Sequence, residues 1–159
     1  MTILVAALTL LLLLVPAGQV QGQGTGPPLS AGGEQSLQFG ELLGGLPRTV
    51  MPGDPANAAQ FRFRAFRRTA QVSFVLPTQL TGSNGGALPL SFSGMDAMYS
   101  PTGRVGDGVS FDPRTPFVIS DAPSGWSWLY LGGTVTPPVN APLGAYTATI
   151  LLVLADLGS

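Results

Sequence analysis

The chain has 159 residues, 45% of them hydrophobic and only 9% charged, and its formal net charge is −1. It contains no His, no Cys and no Lys. That composition excludes disulfide staples, Ser-His, Cys-His and Ser-Lys nucleophilic systems, Schiff-base chemistry and the common zinc and iron sites. It also supplies neither a global basic field for nucleic acid nor an acidic tail.

Ile3 to Val15 is apolar throughout except for Thr9. This run of 13 residues is shorter than the roughly 20 that span a bilayer. Pro16, Ala17 and Gly18 follow, so residues 1–22 are expected to be a secretory signal peptide. Val15-Pro16-Ala17 and Val20-Gln21-Gly22 both offer small-residue cleavage sites, although Met1-Thr2 lacks the usual basic n-region. After cleavage no membrane span is expected. Residues 23–35, rich in Gly, Gln and Pro with only Leu29 and Ala31 apolar, are expected to form a flexible N-terminal arm. The rest, residues 36–159, reads as one domain.

Its apolar runs are short and separated by turn residues. Ser36-Leu37-Gln38-Phe39 is the first strand candidate, and Met51-Pro52-Gly53-Asp54-Pro55 is a turn cluster. Ala59 to Arg68 alternates Phe61, Phe63 and Ala65 against Arg62 and Arg64, then loses its phase, which predicts a bulge or bend near Ala65. Val72, Phe74 and Leu76 alternate cleanly up to Pro77, and Leu88, Leu90 and Phe92 form another inward row. Thr81 to Gly86 is expected to be a turn and Gly94 to Gly108 a long loop. Phe117-Val118-Ile119 is a short strand, and Trp126, Trp128 and Tyr130 alternate with Ser127, Leu129 and Leu131. The chain closes with a short strand at Leu131–Val135, a Pro/Asn/Gly turn, and a long strand from Tyr146 to Leu154. In that last strand Tyr146, Ala148, Ile150, Leu152 and Leu154 share one face; the other starts polar at Thr147 and Thr149 and ends apolar at Leu151 and Val153. About eight short strands at this spacing, with no sustained helical period, predict an all-β antiparallel sandwich.

Three groups of residues carry chemistry. Asp96, Asp107, Asp112 and Asp121 lie in turn-rich sequence, and their spacing matches no calcium loop, so they read as turn residues. Facing pairs among them would be the starting point for a hydrolase. Arg62, Arg64, Arg67 and Arg68 are the one concentration of charge. They read as the solvated face of a strand; the functional alternative is a basic strip for an anionic glycan or a partner's acidic surface. Trp126, Trp128 and Tyr130 read as core volume, with a sugar-stacking platform as the alternative. No catalytic, metal or cofactor-binding residue is assigned.

Leu37-Gln38-Phe39-Gly40, Val72-Ser73-Phe74-Val75-Leu76-Pro77, Leu131-Gly132-Gly133-Thr134-Val135 and Pro142-Leu143-Gly144-Ala145-Tyr146-Thr147-Ala148-Thr149 together resemble the exported bacterial family called domain of unknown function 4402. That family is similar in pattern to spore coat protein U-like and chaperone–usher pilin-like domains. The resemblance implies an immunoglobulin-like (pilin-like) sandwich without catalytic activity, in the periplasm, secreted, or at the cell surface. It further implies assembly by donor-strand complementation, in which a periplasmic chaperone or another pilin-like subunit supplies a missing strand. The expected strand-accepting residues are Tyr146, Ile150, Leu151, Leu152, Val153 and Leu154. The weakly apolar arm departs from what a donor needs, so an identical copy is not the expected donor. The alternative function is an extracellular carbohydrate-binding module contacting glycan through Trp126, Trp128, Arg62 and Arg64. No cofactor and no nucleic-acid partner are expected.

Overall fold

The computed structural model describes residues 29–158, together with two N-terminal strands, β1 (Ile3–Ala7) and β2 (Thr9–Leu10). The strands that follow are β3 (Ser30–Gln35), β4 (Gln38–Leu43), β5 (Arg48–Val50), β6 (Ala59–Arg64), β7 (Thr69–Val75), β8 (Gln79–Gly82), β9 (Ala87–Ser91) and β10 (Ala97–Ser100). After one 3-10 turn at Val105–Asp107 come β11 (Val109–Phe111), β12 (Phe117–Ile119), β13 (Ser127–Leu131), β14 (Gly133–Val135), β15 (Ala145–Thr147) and β16 (Thr149–Gly158). The protein is all-β, as the alternation predicts.

The strands form three hydrogen-bonded groups arranged as a sandwich. A seven-stranded sheet runs β4-β1-β15-β8-β9-β14-β5, a five-stranded sheet β11-β10-β13-β6-β3, and a four-stranded sheet β12-β7-β16-β2. Two bent strands tie the groups together. β13 continues through Gly132 into β14, and β15 continues through Ala148 into β16. Gly132 is at a point of close approach: its N–H donates to Asp96 O at 2.7 Å, and a Cβ there would overlap the backbone at Val50 and Met51. Pairing is antiparallel except where β1 runs parallel to β15 and β2 runs parallel to β16.

Alternation decides which side chains enter the core. Phe61 and Phe63 on β6, Leu129 and Leu131 on β13, and Ile150 and Leu152 on β16 are fully buried. Between the five-stranded and four-stranded sheets, an aromatic cluster runs from Phe61 through Phe74 (5.6 Å between centroids) to Phe111 and Phe117, which stack at 4.2 Å. Tyr99 completes it, 6.1 Å from Phe63 and 6.2 Å from Phe117. Rings at these separations attract beyond the area they bury.

Several expectations need correcting. Within residues 23–35, expected to be an arm, Ser30–Gln35 pairs antiparallel with β6; residues 23–28 lie outside the described residues, as do both candidate cleavage sites. The Ser-Ala-Gly-Gly-Glu-Gln sequence carries no alternation because this strand is held by backbone pairing, not by burial. The expected long loop at 94–108 contains β10, and the expected turn at 81–86 begins inside β8. On β13 the inward face is Ser127, Leu129 and Leu131, leaving Trp126 and Trp128 half-buried on the outside, so the tryptophans are not core volume. The predicted bend near Ala65 is a tight turn: Arg68 N donates to Ala65 O at 3.1 Å, with Phe66 at φ 51° and Arg67 at φ 63°.

Candidate functional site

Two places gather the residues that the sequence singles out. The first is the seam along β15 and β16. Its inward row is Tyr146, Ile150, Leu152 and Leu154, all buried, with Ala148 partly buried against the core. Thr147 and Thr149 on the outer row are exposed, while Leu151 and Val153 are half-buried. The strand therefore changes from one dry face toward two along its length.

Tyr146 fixes one end of this seam. Its hydroxyl donates to Pro142 O at 2.6 Å, closing the turn that leads into β15. Gly82 and Gly86 let the ring lie against their backbone; a Cβ on Gly86 would stand 2.5 Å from the phenol oxygen. Asn84 bridges the same turn, accepting from Gly86 N (3.1 Å) and donating through Nδ2 to Leu143 O (2.5 Å).

Each edge of the seam has its own partner. On one side β15 pairs with β8, and β16 pairs with β7 from Leu151↔Val75 to Gly158↔Thr69. On the other side lies the N-terminal segment. β1 sits between β15 and β4, with Val5↔Ala145 and Ala6↔Tyr146 on one edge and Ile3↔Leu43 through Ala7↔Gln38 on the other. β2 continues it against β16 at Thr149↔Thr9 and Ile150↔Leu10. Beyond Ile150, no strand among the described residues pairs with this edge of β16. Beside it, Val75 and Val118 are each about half exposed on the outer face of the four-stranded sheet, so Leu151 and Val153 belong to an apolar surface strip.

The second place is the outer face of the five-stranded sheet. Cross-strand pairing sets Trp128 opposite Arg62, and Arg62 opposite Gly32 on β3. The Arg62 guanidinium lies 4.7 Å from the centroid of Trp126, and Arg64 lies 5.5 Å from the same ring and 4.7 Å from Phe66. Arg62 Nε and Glu34 Oε1 form an ion pair at 2.6 Å, and Arg64 Nε donates to Ser124 O at 3.2 Å. Trp128 is covered by the 101–104 loop, with Gly103 against its indole; the Tyr130 hydroxyl donates to Gly103 O at 2.7 Å, and burial raises its phenol pKa. The structure thus unites all four residues of the expected glycan contact. Glu34, Gly32, Ser124 and Gly103, which complete the face, gave no sequence signal, because a short Gly-rich strand and a loop look alike without long-range pairing.

Three of the four carboxylates singled out by the sequence accept hydrogen bonds within their own turns. Asp96 accepts from Ser93 N at 2.7 Å, Asp107 from Thr102 Oγ1 at 2.6 Å, and Asp112 from both the backbone and the guanidinium of Arg114 (2.7–2.9 Å). The Arg114 side-chain bonds, then its backbone N–H, hold Asp112 down at a pKa of about 2. Among the described residues, no group of three or more Asp and Glu is placed to hold a metal ion, and no helix is long and apolar enough to cross a membrane. An open cavity of about 380 Å³ lies between the ends of β7 and β9, lined by Phe74, Leu76, Leu90, Phe92 and Arg114.

No protein-family model matches the chain, and no curated protein matches it in sequence.

Proposed function

We propose that this chain is a secreted, non-enzymatic, pilin-like structural protein of the cell surface or periplasm, whose sandwich takes up an extended strand from a partner. One observation supports the reading above all. The apolar strand β1 (Ile3–Ala7) occupies a position between β4 and β15, and β2 (Thr9–Leu10) pairs with β16. That segment lies within the stretch that the sequence marks as a leader. Cleavage at either candidate site removes β1 and β2 and leaves two unsatisfied strand edges over a row of buried apolar side chains. A bare apolar edge recruits a strand: main-chain hydrogen bonds supply affinity, and alternate side chains supply specificity. The occupant in the assembled state is a periplasmic chaperone or another pilin-like subunit.

The test compares the chain beginning at Met1 with one beginning at Gln23. The shorter chain is expected to be less stable, because its strand edges are open and no donor is present. It is also expected to regain stability with a synthetic peptide of the sequence Ile3–Leu10 carrying solubilising flanks. A shortened chain of unchanged melting temperature that ignores the peptide overturns the proposal.

A further inference from the structure

The arginine and tryptophan face is not used by strand assembly, and its geometry is that of a prepared anion site. We infer that Arg62, Arg64 and Trp126 bind a carboxylate-bearing polysaccharide along the outer face of the five-stranded sheet.

Arg62 and Arg64 alternate with the buried Phe61 and Phe63, so both project from the same face of β6, two residues or about 7 Å apart. Both lie against the Trp126 ring. Stacking restrains the plane of a guanidinium and leaves its N–H edge for an acceptor in that plane. Each arginine spends only its Nε inside the protein, on Glu34 and on the Ser124 carbonyl. The Nη groups of both have no hydrogen-bond partner among the described residues. Paired N–H donors of this kind suit a carboxylate.

The surroundings are open. The Arg62 side chain is 46% exposed. Gly32, directly across from Arg62 on the edge strand, has nothing within 4 Å of where a Cβ would lie. An extended polymer can therefore run over β3 and β6 with its anionic groups on the arginines and a sugar ring against the exposed part of the indoles. The exposed Arg67 in the following turn adds a cation with no ion pair among the described residues. Charge balance separates this ligand from a denser polyanion. Seven cations and eight anions leave the whole chain at −1, so no long-range field attracts nucleic acid or an anionic membrane. A sparse site of two or three arginines beside an aromatic ring matches a polymer of spaced carboxylates.

The experiment measures binding of the full chain to polygalacturonate, with neutral dextran, dextran sulfate and duplex DNA as comparisons at equal salt. Polygalacturonate is expected to bind more tightly than the other three. Arg62→Gln with Arg64→Gln is expected to weaken it at least about tenfold, the loss typical of removing hydrogen bonds to a charged group. The matching Arg→Lys pair restores only part of the affinity, because an ammonium keeps the charge without the fork. Gly32→Glu supplies a variant with no packing to disturb: a carboxylate opposite Arg62 competes with the ligand, and binding falls while the melting temperature holds. Absent binding to polygalacturonate overturns the inference. So does equal or tighter binding to dextran, dextran sulfate or DNA, full rescue by lysine, or unchanged affinity in Gly32→Glu.

Discussion

At the scale of single residues, close packing and open space make opposite predictions for the same kind of substitution. Gly132→Ala drives a methyl into the Val50 and Met51 backbone, which cannot move aside as a side chain can, and should cost about 1–3 kcal/mol or more in a denaturant melt. Gly32→Ala meets nothing, and an alanine should raise stability by about 0.5–1 kcal/mol through the smaller entropy of the unfolded chain. Tyr146→Phe removes the bond to Pro142 and should cost about 1 kcal/mol. The pH response is equally local. Asp112 has a folded pKa of about 2, below the ordinary value near 3.9. A lowered folded pKa contributes stability that is complete above the unfolded value and is lost as pH falls through the folded one. Melting temperature should therefore drop between about pH 4 and pH 2, with a shallower drop in Arg114→Ala, as Asp112 then loses its main partner. Asp54, held down by the Asn57 side chain and then the Ala56 N–H, adds to the same acid limb. With no His in the chain, no side chain with an ordinary pKa titrates between about pH 5 and 8, and stability there should be flat.

At the scale of elements, the turn after β6 and the edge strand β3 are the informative pieces. Arg67 sits at φ 63° in the turn from Ala65 to Arg68, a conformation that costs an L-residue roughly 1–2 kcal/mol. Arg67→Gly should stabilise the protein by about 0.5–1 kcal/mol once the greater flexibility of glycine in the unfolded chain is subtracted. β3 is the outer strand of the five-stranded sheet. A chain beginning at Glu34 should be less stable than one beginning at Gln23, since it loses the pairing of Ser30–Gly33 with β6. It should still take up a strand beside β15, because that position lies in a different sheet. A truncation that abolished peptide uptake as well would join the two edges in one mechanism.

At the scale of the whole molecule, the seven-stranded sheet depends on its N-terminal strand: β4 and β15 are not paired with each other but only through β1. Stability of the chain without β1 and β2 should therefore rise with the concentration of an added donor-strand peptide, which fills the open edges by mass action, whereas that of the full chain should not. Thermal melts over a wide range of peptide concentration distinguish the two. How much of this was open to a reader of the sequence differs by level. The all-β class followed from period-two apolar rows such as Phe61/Phe63 and Ile150/Leu152, because a strand writes its burial into alternate positions whatever it pairs with. The same rule identified the closing strand and its inward face. It failed for Ser30–Gln35 and Arg48–Val50, whose pairing uses backbone groups common to every sequence, and for the orientation of Trp126 and Trp128, since alternation shows that two faces differ but not which one meets the core. Sequence alone thus determined the strand-rich class, the lack of His, Cys and Lys, and which residues would share a face. Only the tertiary structure decided that β1 lies between β4 and β15 and β2 beside β16, and that Glu34, Arg62, Arg64 and Trp126 meet on one surface. Both depend on contacts between residues dozens of positions apart, which local composition does not encode.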